Sequence, residues 1–464
     1  MALLGAVAWG GHWNDVALRG ASAGEFTQPP VLKNESTRRG TVEVTLTASA
    51  TRLRLRGGTP IEVLAYNGSS PGPTLELTEG DRVVIHFRND LTEPTTVHWH
   101  GIHLPASEDG SPFDPVPAGG RRDFTFTIPR GSAGTYWYHP HLHHHTGRQI
   151  AKGLYGAIIV RAPDDPLPQS IRERLLILAD QRFTPNGAID LPDPQSMEGR
   201  VDKENGREGS VLFVSGQVMP TISIRPGEVQ RWRIINASAA RVYRLAIAGR
   251  SFLHVGSDGG LFEKPIEVRE LLLANAERVE ILVQGGAPGR STTLQTLPYD
   301  RYVPQTRPKD WNRPRNLLTL RTESAPRAAP VVIPTTLRRI PALDTSRATV
   351  RRTVTFGQGM INNRHFDFSR VDFTAMLGAT EIWTVENIVS MDHPFHLHGF
   401  QFQVLARDGK PEPYLSWKDV VNVPKQRTVR LVVRFDDYPG KWMFHCHILD
   451  HEDQGMMGIL EVKR

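Results

Sequence analysis

The stretch from 444 to 457 concentrates side chains that can bind a metal ion. It holds Cys446, the only cysteine of the chain, between two histidines, with His451 and Met456 further along. One thiolate, two imidazoles and a weak axial thioether form the ligand set of a trigonal blue-copper site. Cys446, His451 and Met456 supply three of these ligands, so the second imidazole must come from elsewhere in the chain.

The two histidines that flank the cysteine indicate a second site. Residues 440–444 predict a β-strand, and successive side chains of a strand point to opposite faces. If the strand continues, His445 and His447 share one face and Cys446 lies on the other. One strand would then serve two metal sites, and electrons that arrive at Cys446 would leave through either neighbouring histidine. A buried free thiol beside ordinary surface histidines does not explain these spacings.

Four pairs of histidines separated by one residue recur along the chain, and each pair places two imidazoles on one face of a predicted strand. The pairs are His98 and His100, His139 and His141, His396 and His398, and His445 and His447. A single pair is more often a surface accident or a zinc site, but four pairs at equivalent places favour copper. Eight imidazoles suit a cluster of three metal ions that passes several electrons to dioxygen. His393 remains as the second imidazole for Cys446.

A repeated segment predicts the scaffold that positions these ligands. Residues 80–89, 227–236 and 378–387 each begin with Gly, end with Asn and contain a turn followed by a strand. The copies lie roughly 150 residues apart, which is too far for a solenoid, so they indicate three copies of one all-β domain.

The repeat separates two domains with metal ligands from one without. After the Asn, the first and third copies lead to the pairs that begin at His98 and His396, whereas the second leads to Leu245 and Ile247. The middle domain is therefore predicted to be a spacer without metal. A second correspondence aligns residues 134–141 with 440–447 and puts Pro in place of the cysteine, so the first domain cannot form a thiolate site.

Length and composition agree with several β-domains. A chain of 464 residues is too long for one typical domain, and its 41 Gly and 35 Pro suit many short strands joined by turns. Proline-rich stretches near 162–169 and 324–341 indicate linkers, and the polar residues 191–210 predict a long loop. The predicted divisions are an irregular lead-in over 1–34 and domains over 35–163, 164–324 and 325–464.

Charge and hydropathy exclude several classes of function. The formal net charge of +6 comes mainly from arginines spread along the chain, without a basic block that would bind nucleic acid. No apolar run is long enough to span a membrane. The short apolar run 2–9 is interpreted as the remnant of an export signal, and the protein is expected to be a monomer.

Taken together, these motifs resemble the copper-binding motifs of the multicopper oxidases. They read His-Trp-His-Gly from His98, His-Pro-His from His139, His-Pro-x-His-x-His from His393, and His-Cys-His-x-x-x-His-x-x-x-x-Met from His445. The resemblance covers nearly the whole chain and is strongest to the bacterial three-domain laccases and copper-efflux oxidases. It implies an all-β fold of three consecutive cupredoxin-like Greek-key β-sandwich or barrel domains, and a location in the periplasm or outside the cell.

The resemblance also implies four copper ions and a role for each ligand. Type 1 copper would be held by His393, Cys446, His451 and axial Met456, with the edge of His451 facing the reducing substrate. Type 2 copper would be held by His98 and His396. The two type 3 coppers would be held by His100, His139, His141, His398, His445 and His447. In the family reaction, four one-electron oxidations reduce one dioxygen molecule to two waters.

Two carboxylates are candidates for delivering the protons that water formation needs. Asp109 follows His100 by nine residues and matches a family acid near the cluster. Glu452 directly follows His451 and matches a second family acid on the oxygen channel. The alternatives are that Asp109 is a turn residue before Gly110 and that Glu452 is a solvated acid in a charged run.

The sequence predicts a laccase-like oxidase of phenols and aromatic amines. The alternative is a cuprous-ion oxidase for copper tolerance, a subgroup that typically carries a methionine-rich insert before the third-domain motifs. This chain has nine methionines, and no cluster of them lies between 325 and 390. A redox-silent scaffold, as in cell-division relatives that have lost their copper ligands, is disfavoured because every ligand is present.

Overall fold

Three β-sandwiches follow one another in a computed structural model that describes residues 24–55, 59–303 and 311–464. Each sandwich has two sheets, which confirms the predicted all-β fold. The interpretation of residues 2–9 as a signal remnant lies outside the described residues. Among the helices that the structure describes, none is long and apolar enough to cross a membrane.

The first domain has two four-stranded sheets. Its elements are β1 (Thr41–Leu53), β2 (Ile61–Tyr66), β3 (Gly72–Thr78), β4 (Arg82–Asn89), β5 (His98–His100), a 3-10 helix (Ala106–Glu108), β6 (Arg121–Thr127), β7 (Gly134–His139), α1 (Thr146–Ala151) and β8 (Gly156–Arg161). The strand orders are β2-β1-β4-β6 and β3-β8-β7-β5. The histidine-bearing strands β5 and β7 therefore lie together at one edge of the second sheet.

The middle domain has sheets of six and five strands. Its elements are β9 (Arg172–Gln181), α2 (Met197–Asn205), β10 (Val211–Val214), β11 (Thr221–Ile224), β12 (Val229–Asn236), β13 (Tyr243–Ile247), β14 (Phe252–Ser257), β15 (Gly260–Val268), β16 (Glu270–Leu273), β17 (Arg278–Gln284), β18 (Ser291–Leu297) and β19 (Arg315–Thr322). The strand orders are β10-β9-β12-β17-β14-β15 and β11-β19-β18-β13-β16.

The third domain has two five-stranded sheets. Its elements are a 3-10 helix (Thr345–Arg347), β20 (Val350–Phe356), β21 (Phe373–Met376), β22 (Thr380–Asn387), β23 (His393–Leu397), β24 (Phe402–Arg407), β25 (Lys410–Pro411), β26 (Val420–Val423), β27 (Thr428–Arg434), β28 (Gly440–Cys446), α3 (Leu449–Asp453) and β29 (Met457–Lys463). The strand orders are β20-β22-β27-β24-β25 and β21-β29-β28-β23-β26.

The repeated segments occupy equivalent places, as strands β4, β12 and β22. Each lies between a parallel strand from the start of its domain and an antiparallel strand. The terminal Asn of each copy has a structural role, since the side-chain amides of Asn89, Asn236 and Asn387 donate to backbone carbonyls of the loops that follow. In the first and third domains, those loops lead to the histidine strands β5 and β23.

The burial pattern of a strand shows whether one or both of its faces are covered. In β1, Val44, Leu46 and Ala48 are buried and alternate with partly exposed neighbours, as expected for a strand with one solvated face. Every residue of β12 is buried. Its polar face turns to the first domain, where Arg233 Nη1 donates to Thr135 Oγ1 at 3.0 Å. The middle domain is thus joined to the first domain through buried polar contacts.

The prediction of a long loop over 191–210 was wrong for residues 197–205, which form α2. Ser196 caps its first turn by accepting a hydrogen bond from the Gly199 N–H at 3.0 Å. Gly206 ends the helix with a φ of +73°. The sequence of α2 is polar and lacks an apolar stripe of helical period, so hydrophobic periodicity could not reveal it.

Candidate metal centres

Cys446 lies at the end of β28, inside the core of the third domain. His393 begins the neighbouring strand β23, and His451 lies in α3. The possible ligand atoms of these three residues all lie within 4.8 Å of one another, and all three side chains are buried. Cys446 Sγ is 3.8 Å from His451 Nδ1 and accepts the Ile448 N–H at 3.4 Å. We refer to this group, with Met456, as the thiolate site.

The chain reverses direction at α3, which brings Met456 next to Cys446. Its side chain is fully buried in the same hydrophobic cluster as Cys446, and its carbonyl accepts the Cys446 N–H at 3.1 Å. Burial raises the pKa of the Cys446 thiol well above its usual range. A bound cation reverses this preference and stabilises the thiolate, so the site fits a soft metal ion.

The eight paired histidines come together between the first and third domains, and we refer to them as the histidine cluster. β5 and β7 pair so that His98 lies opposite His139, and β23 and β28 pair so that His396 lies opposite His445. All eight side chains are at most 1% exposed. The docking of two domains therefore completes a cluster that neither domain forms by itself.

Ring nitrogens converge across this interface. His445 Nε2 lies 3.2 Å from His141 Nε2 and 3.0 Å from His398 Nε2. His98 Nε2 and His396 Nε2 have no hydrogen-bond partner among the described residues. Buried nitrogens without partners are unfavourable unless a cation binds them, so this donor set fits bound metal ions.

Seven of the eight histidines have ligand atoms within 4.8 Å of two others of the cluster. The groups of three are His98, His100 and His139; His98, His396 and His398; and His141, His398 and His445. His447 belongs to none of them, although its ring centroid lies 5.1 Å from that of His100. The predicted type 2 pair, His98 and His396, shares one group, and its assignment stays a prediction.

Burial lowers the pKa of nine imidazoles in the two centres and so favours their neutral form. It lowers the pKa of His445 to about 3 and that of His451 to about 4. The other histidines whose pKa is lowered well below the usual range are His100, His139, His141, His393, His396, His398 and His447. Neutral imidazole is the form that binds metal ions, so the folded chain presents these imidazoles in the form that a metal ion requires.

Asp109 lies between the two halves of the histidine cluster. Its Oδ2 accepts from His398 Nδ1 at 2.8 Å, and its backbone carbonyl accepts from His98 Nδ1 at 2.9 Å. The side chain is buried. Asp109 therefore contacts predicted ligands from both domains and is more than a turn residue before Gly110.

Glu452 lies on the other side of the cluster. Its carboxyl oxygens are 3.5 Å from His141 Nδ1 and 3.5 Å from His445 Nδ1, and the side chain is buried. Burial, with a smaller effect of the neighbouring Asp453 charge, raises the pKa of Glu452 well above its usual range. The residue is not a solvated acid, and its carboxyl can keep a proton close to the cluster.

Sequence reasoning missed Asp419, which contacts the cluster from the third domain. Its Oδ1 accepts from His100 Nε2 at 3.0 Å, and its backbone carbonyl accepts from His396 Nδ1 at 2.8 Å. Asp419 directly precedes β26, and the register of β26 with β23 fixes its position. The only local signal is the apolar run of β26, which predicts a strand and not a site.

A cavity of about 1080 Å³ reaches the thiolate site, and its walls include Met391, His393 and His451. The end of α2 covers part of this cavity, because His451 Nε2 lies 3.2 Å from the Glu204 carbonyl. His451 is consequently only 5% exposed. The middle domain thus shapes the approach to the thiolate site.

Family models described as multicopper oxidase match three segments of the chain, residues 47–165, 180–292 and 336–464. The chain is 31% identical over 457 residues to the multicopper oxidase mco of Staphylococcus aureus, which covers 95% of this chain and 93% of that protein. These matches run through all three β-sandwich domains.

Solved structures agree with this similarity. A multicopper oxidase from Campylobacter jejuni, described as a metallo-oxidase, superposes with a TM-score of 0.87 at 35% identity over 96% of both chains. A laccase from Pediococcus acidilactici superposes with a TM-score of 0.84 at 30% identity over 96% of this chain and 94% of that one. The likeness confirms the predicted cupredoxin-like domains.

We expect the metal-free protein to lose stability as the pH falls. Because folding lowers the pKa of buried histidines such as His445 and His451 below the usual value of about 6.5, the folded state binds fewer protons than the unfolded state. Their contribution is present above about pH 6.5 and is lost below it, by about 1 kcal/mol per histidine for each pH unit. Denaturant unfolding of metal-free protein at about pH 8 and about pH 5.5 measures this loss, with metal-loaded protein as the control. Equal stability at both pH values would contradict the account.

Proposed function

Because the chain belongs to the multicopper oxidases, which are copper-dependent oxidases that use O2, we propose that it is a laccase-like enzyme acting on phenols and aromatic amines. One-electron oxidation at a type 1 copper would be coupled to the reduction of dioxygen to water at three further coppers. We assign the type 1 ion to the thiolate site and the other three to the histidine cluster. Bound copper supplies the one-electron redox chemistry at both centres.

The observation that carries this proposal is the position of Cys446 between His445 and His447. The sulfur lies in the thiolate site, while both neighbouring imidazoles lie in the interface with the first domain. A covalent path of one residue joins the two centres, and the Cys446 carbonyl lies 3.0 Å from His445 Nδ1 as a second, hydrogen-bonded path. Such short paths support electron transfer from a reductant at the surface to the buried cluster.

Asp109 and Glu452 support the reduction of oxygen to water. Water formation consumes protons, and both carboxyl groups lie against cluster histidines in a region without solvent exposure. We assign Glu452 the role of a proton donor, because burial keeps its carboxyl protonated. We assign Asp109 the role of accepting and passing on a proton at Oδ2, beside His398.

The cavity beside the thiolate site supports a small organic reductant. Its volume of about 1080 Å³ is slightly above the usual range of sites that bind drug-sized molecules, about 300–1,000 Å³, so a small organic reductant has room to enter. Electrons would enter through the edge of His451. The Glu204 carbonyl of α2 lies at that edge, so α2 would limit the size of the reductant that can approach.

One observation favours cuprous-ion oxidation as a second candidate. Met391 lines the same cavity as His144, His365 and Asp450, and thioether, imidazole and carboxylate groups can bind copper ions. The single Met391 is a smaller thioether set than the methionine-rich insert of copper-efflux oxidases. We therefore keep phenols as the leading substrate class.

We further propose that the enzyme acts as a monomer in the periplasm or outside the cell.

Steady-state oxygen uptake by fully copper-loaded protein tests the substrate class. We expect fast turnover with a phenol in the absence of added copper, and no advantage for Cu(I). Strong preference for Cu(I), with phenols active only when copper is added, would contradict the laccase-like proposal and support the second candidate. Failure with both reductants in protein that holds four coppers would contradict both.

Asp109→Asn tests the proton role. The variant keeps the size of the side chain and its contact with His398 but removes the group that accepts a proton. We expect unchanged blue absorbance, because the contacts of Asp109 are with the histidine cluster, and oxygen reduction slower by about 100-fold. The neighbouring variant Glu108→Gln is the control. Wild-type turnover in Asp109→Asn would remove this residue from the proposed mechanism.

Replacing residues 197–205 with a short Gly-Ser linker tests the role of α2. We expect kcat/KM for a bulky phenol to rise several-fold, because the cover over His451 is lost, and kcat/KM for a small reductant to change by less than about twofold. The control is Glu198→Ala, which alters an exposed residue of the same helix. An unchanged preference between bulky and small reductants would show that α2 does not restrict access.

A further inference from the structure

We propose that Arg278 of the middle domain is a positioning residue for the histidine cluster, because it fixes the Asp419 carboxylate that orients His100. The middle domain contributes none of the predicted ligands. One of its buried side chains nevertheless contacts the cluster indirectly, because Arg278 binds Asp419 and Asp419 contacts His100. The inference rests on the proposed assignment of the eight histidines to copper.

Asp419 sets the orientation of one ligand ring. Its Oδ1 is 3.0 Å from His100 Nε2, and metal-binding histidines typically donate their second ring N–H to such a carboxylate, which fixes the tautomer. With Nε2 occupied, His100 has Nδ1 left for a metal ion. That atom indeed faces the cluster, 3.4 Å from His139 Nε2.

Arg278 holds this carboxylate with two of its five donors. A guanidinium has five N–H groups, and the fully buried Arg278 has five acceptors. Nη1 donates to Asp419 Oδ1 at 2.7 Å, and Nη2 donates to Asp419 Oδ2. The other acceptors are the backbone carbonyls of Thr135 at 3.0 Å, Ala276 at 3.0 Å and Asp258 at 3.2 Å. One side chain of the middle domain therefore binds the first and third domains beside the cluster.

Gly101 shows how closely this ion pair approaches the ligand strand. It directly follows His100 and has a φ of +89°. A Cβ atom at Gly101 would lie 2.6 Å from both Arg278 Nη2 and Asp419 Oδ2. The glycine after the first histidine pair thus leaves the space that Arg278 and Asp419 occupy.

Another cation could not take the place of Arg278. Lys418, which directly precedes Asp419, already pairs with Asp258 Oδ2 at 3.0 Å and with Glu277 Oε1 at 3.2 Å. A lysine at position 278 would keep the charge but carry its donors on one atom, so it could not bridge both Asp419 oxygens and the three carbonyls. Without the bridge, Asp419 can rotate and His100 loses its fixed orientation.

Arg278→Lys tests the proposal by measurements of copper binding. We expect the affinity of the histidine cluster for copper to fall by about 10–100-fold, measured as the copper retained per chain during titration with a chelator. The blue absorbance of the thiolate site should remain. The control is Arg231→Lys, because Arg231 is also buried in the middle domain and pairs with the buried Glu280, but contacts no predicted ligand.

Unchanged cluster affinity in folded Arg278→Lys would overturn the proposal, and so would equal losses in both variants. A neutral double variant, Arg278→Gln with Asp419→Asn, leaves no unpaired charge and keeps the test valid if the lysine variant does not fold. We expect it to lose cluster affinity as well, and wild-type affinity would overturn the proposal. If the cluster loses copper in Arg278→Lys but the loaded wild-type protein oxidises no reductant, the positioning role stands and the proposed function fails.

Discussion

The alternation of side chains along β28 is the constraint on which both candidate metal centres depend. Because successive side chains leave a strand on opposite faces, Cys446 enters the core of the third domain while its two neighbours reach the interface with the first domain. The register with β23 repeats this division, since Phe395 lies opposite Cys446 and His396 lies opposite His445. The separation of the two centres is thus set by the backbone geometry of the third domain.

The buried histidines of the cluster require the surrounding domains to keep them in place. The histidine cluster is a dry region of converging nitrogen atoms, and it is complete only when the first and third domains dock. The middle domain contacts both centres. Arg278 binds Asp419 beside the histidine cluster, and the carbonyl of Glu204 lies at the edge of His451 in the thiolate site. Under the proposed assignments, a domain without predicted ligands therefore influences both the cluster that would reduce oxygen and the site that would accept electrons.

The sequence revealed what is encoded locally. Residue types and spacings around Cys446 and the histidine pairs predicted the candidate ligands, and the repeated Gly-to-Asn segment predicted three β-domains that the structure confirms. Asp419 and Arg278 escaped prediction because 319 residues of sequence separate His100 from Asp419, and only the tertiary fold brings them together. The helix α2 escaped because its sequence is polar and its carbonyls are bound by third-domain side chains such as Gln454.

Diffraction from crystals of copper-loaded protein, with anomalous data collected on both sides of the copper absorption edge, tests the central claim most directly. The account predicts four copper peaks in each chain, one next to Cys446 and three among the eight paired histidines. A peak at Cys446 without copper among the histidines, or a cluster filled by another metal in active protein, would contradict it.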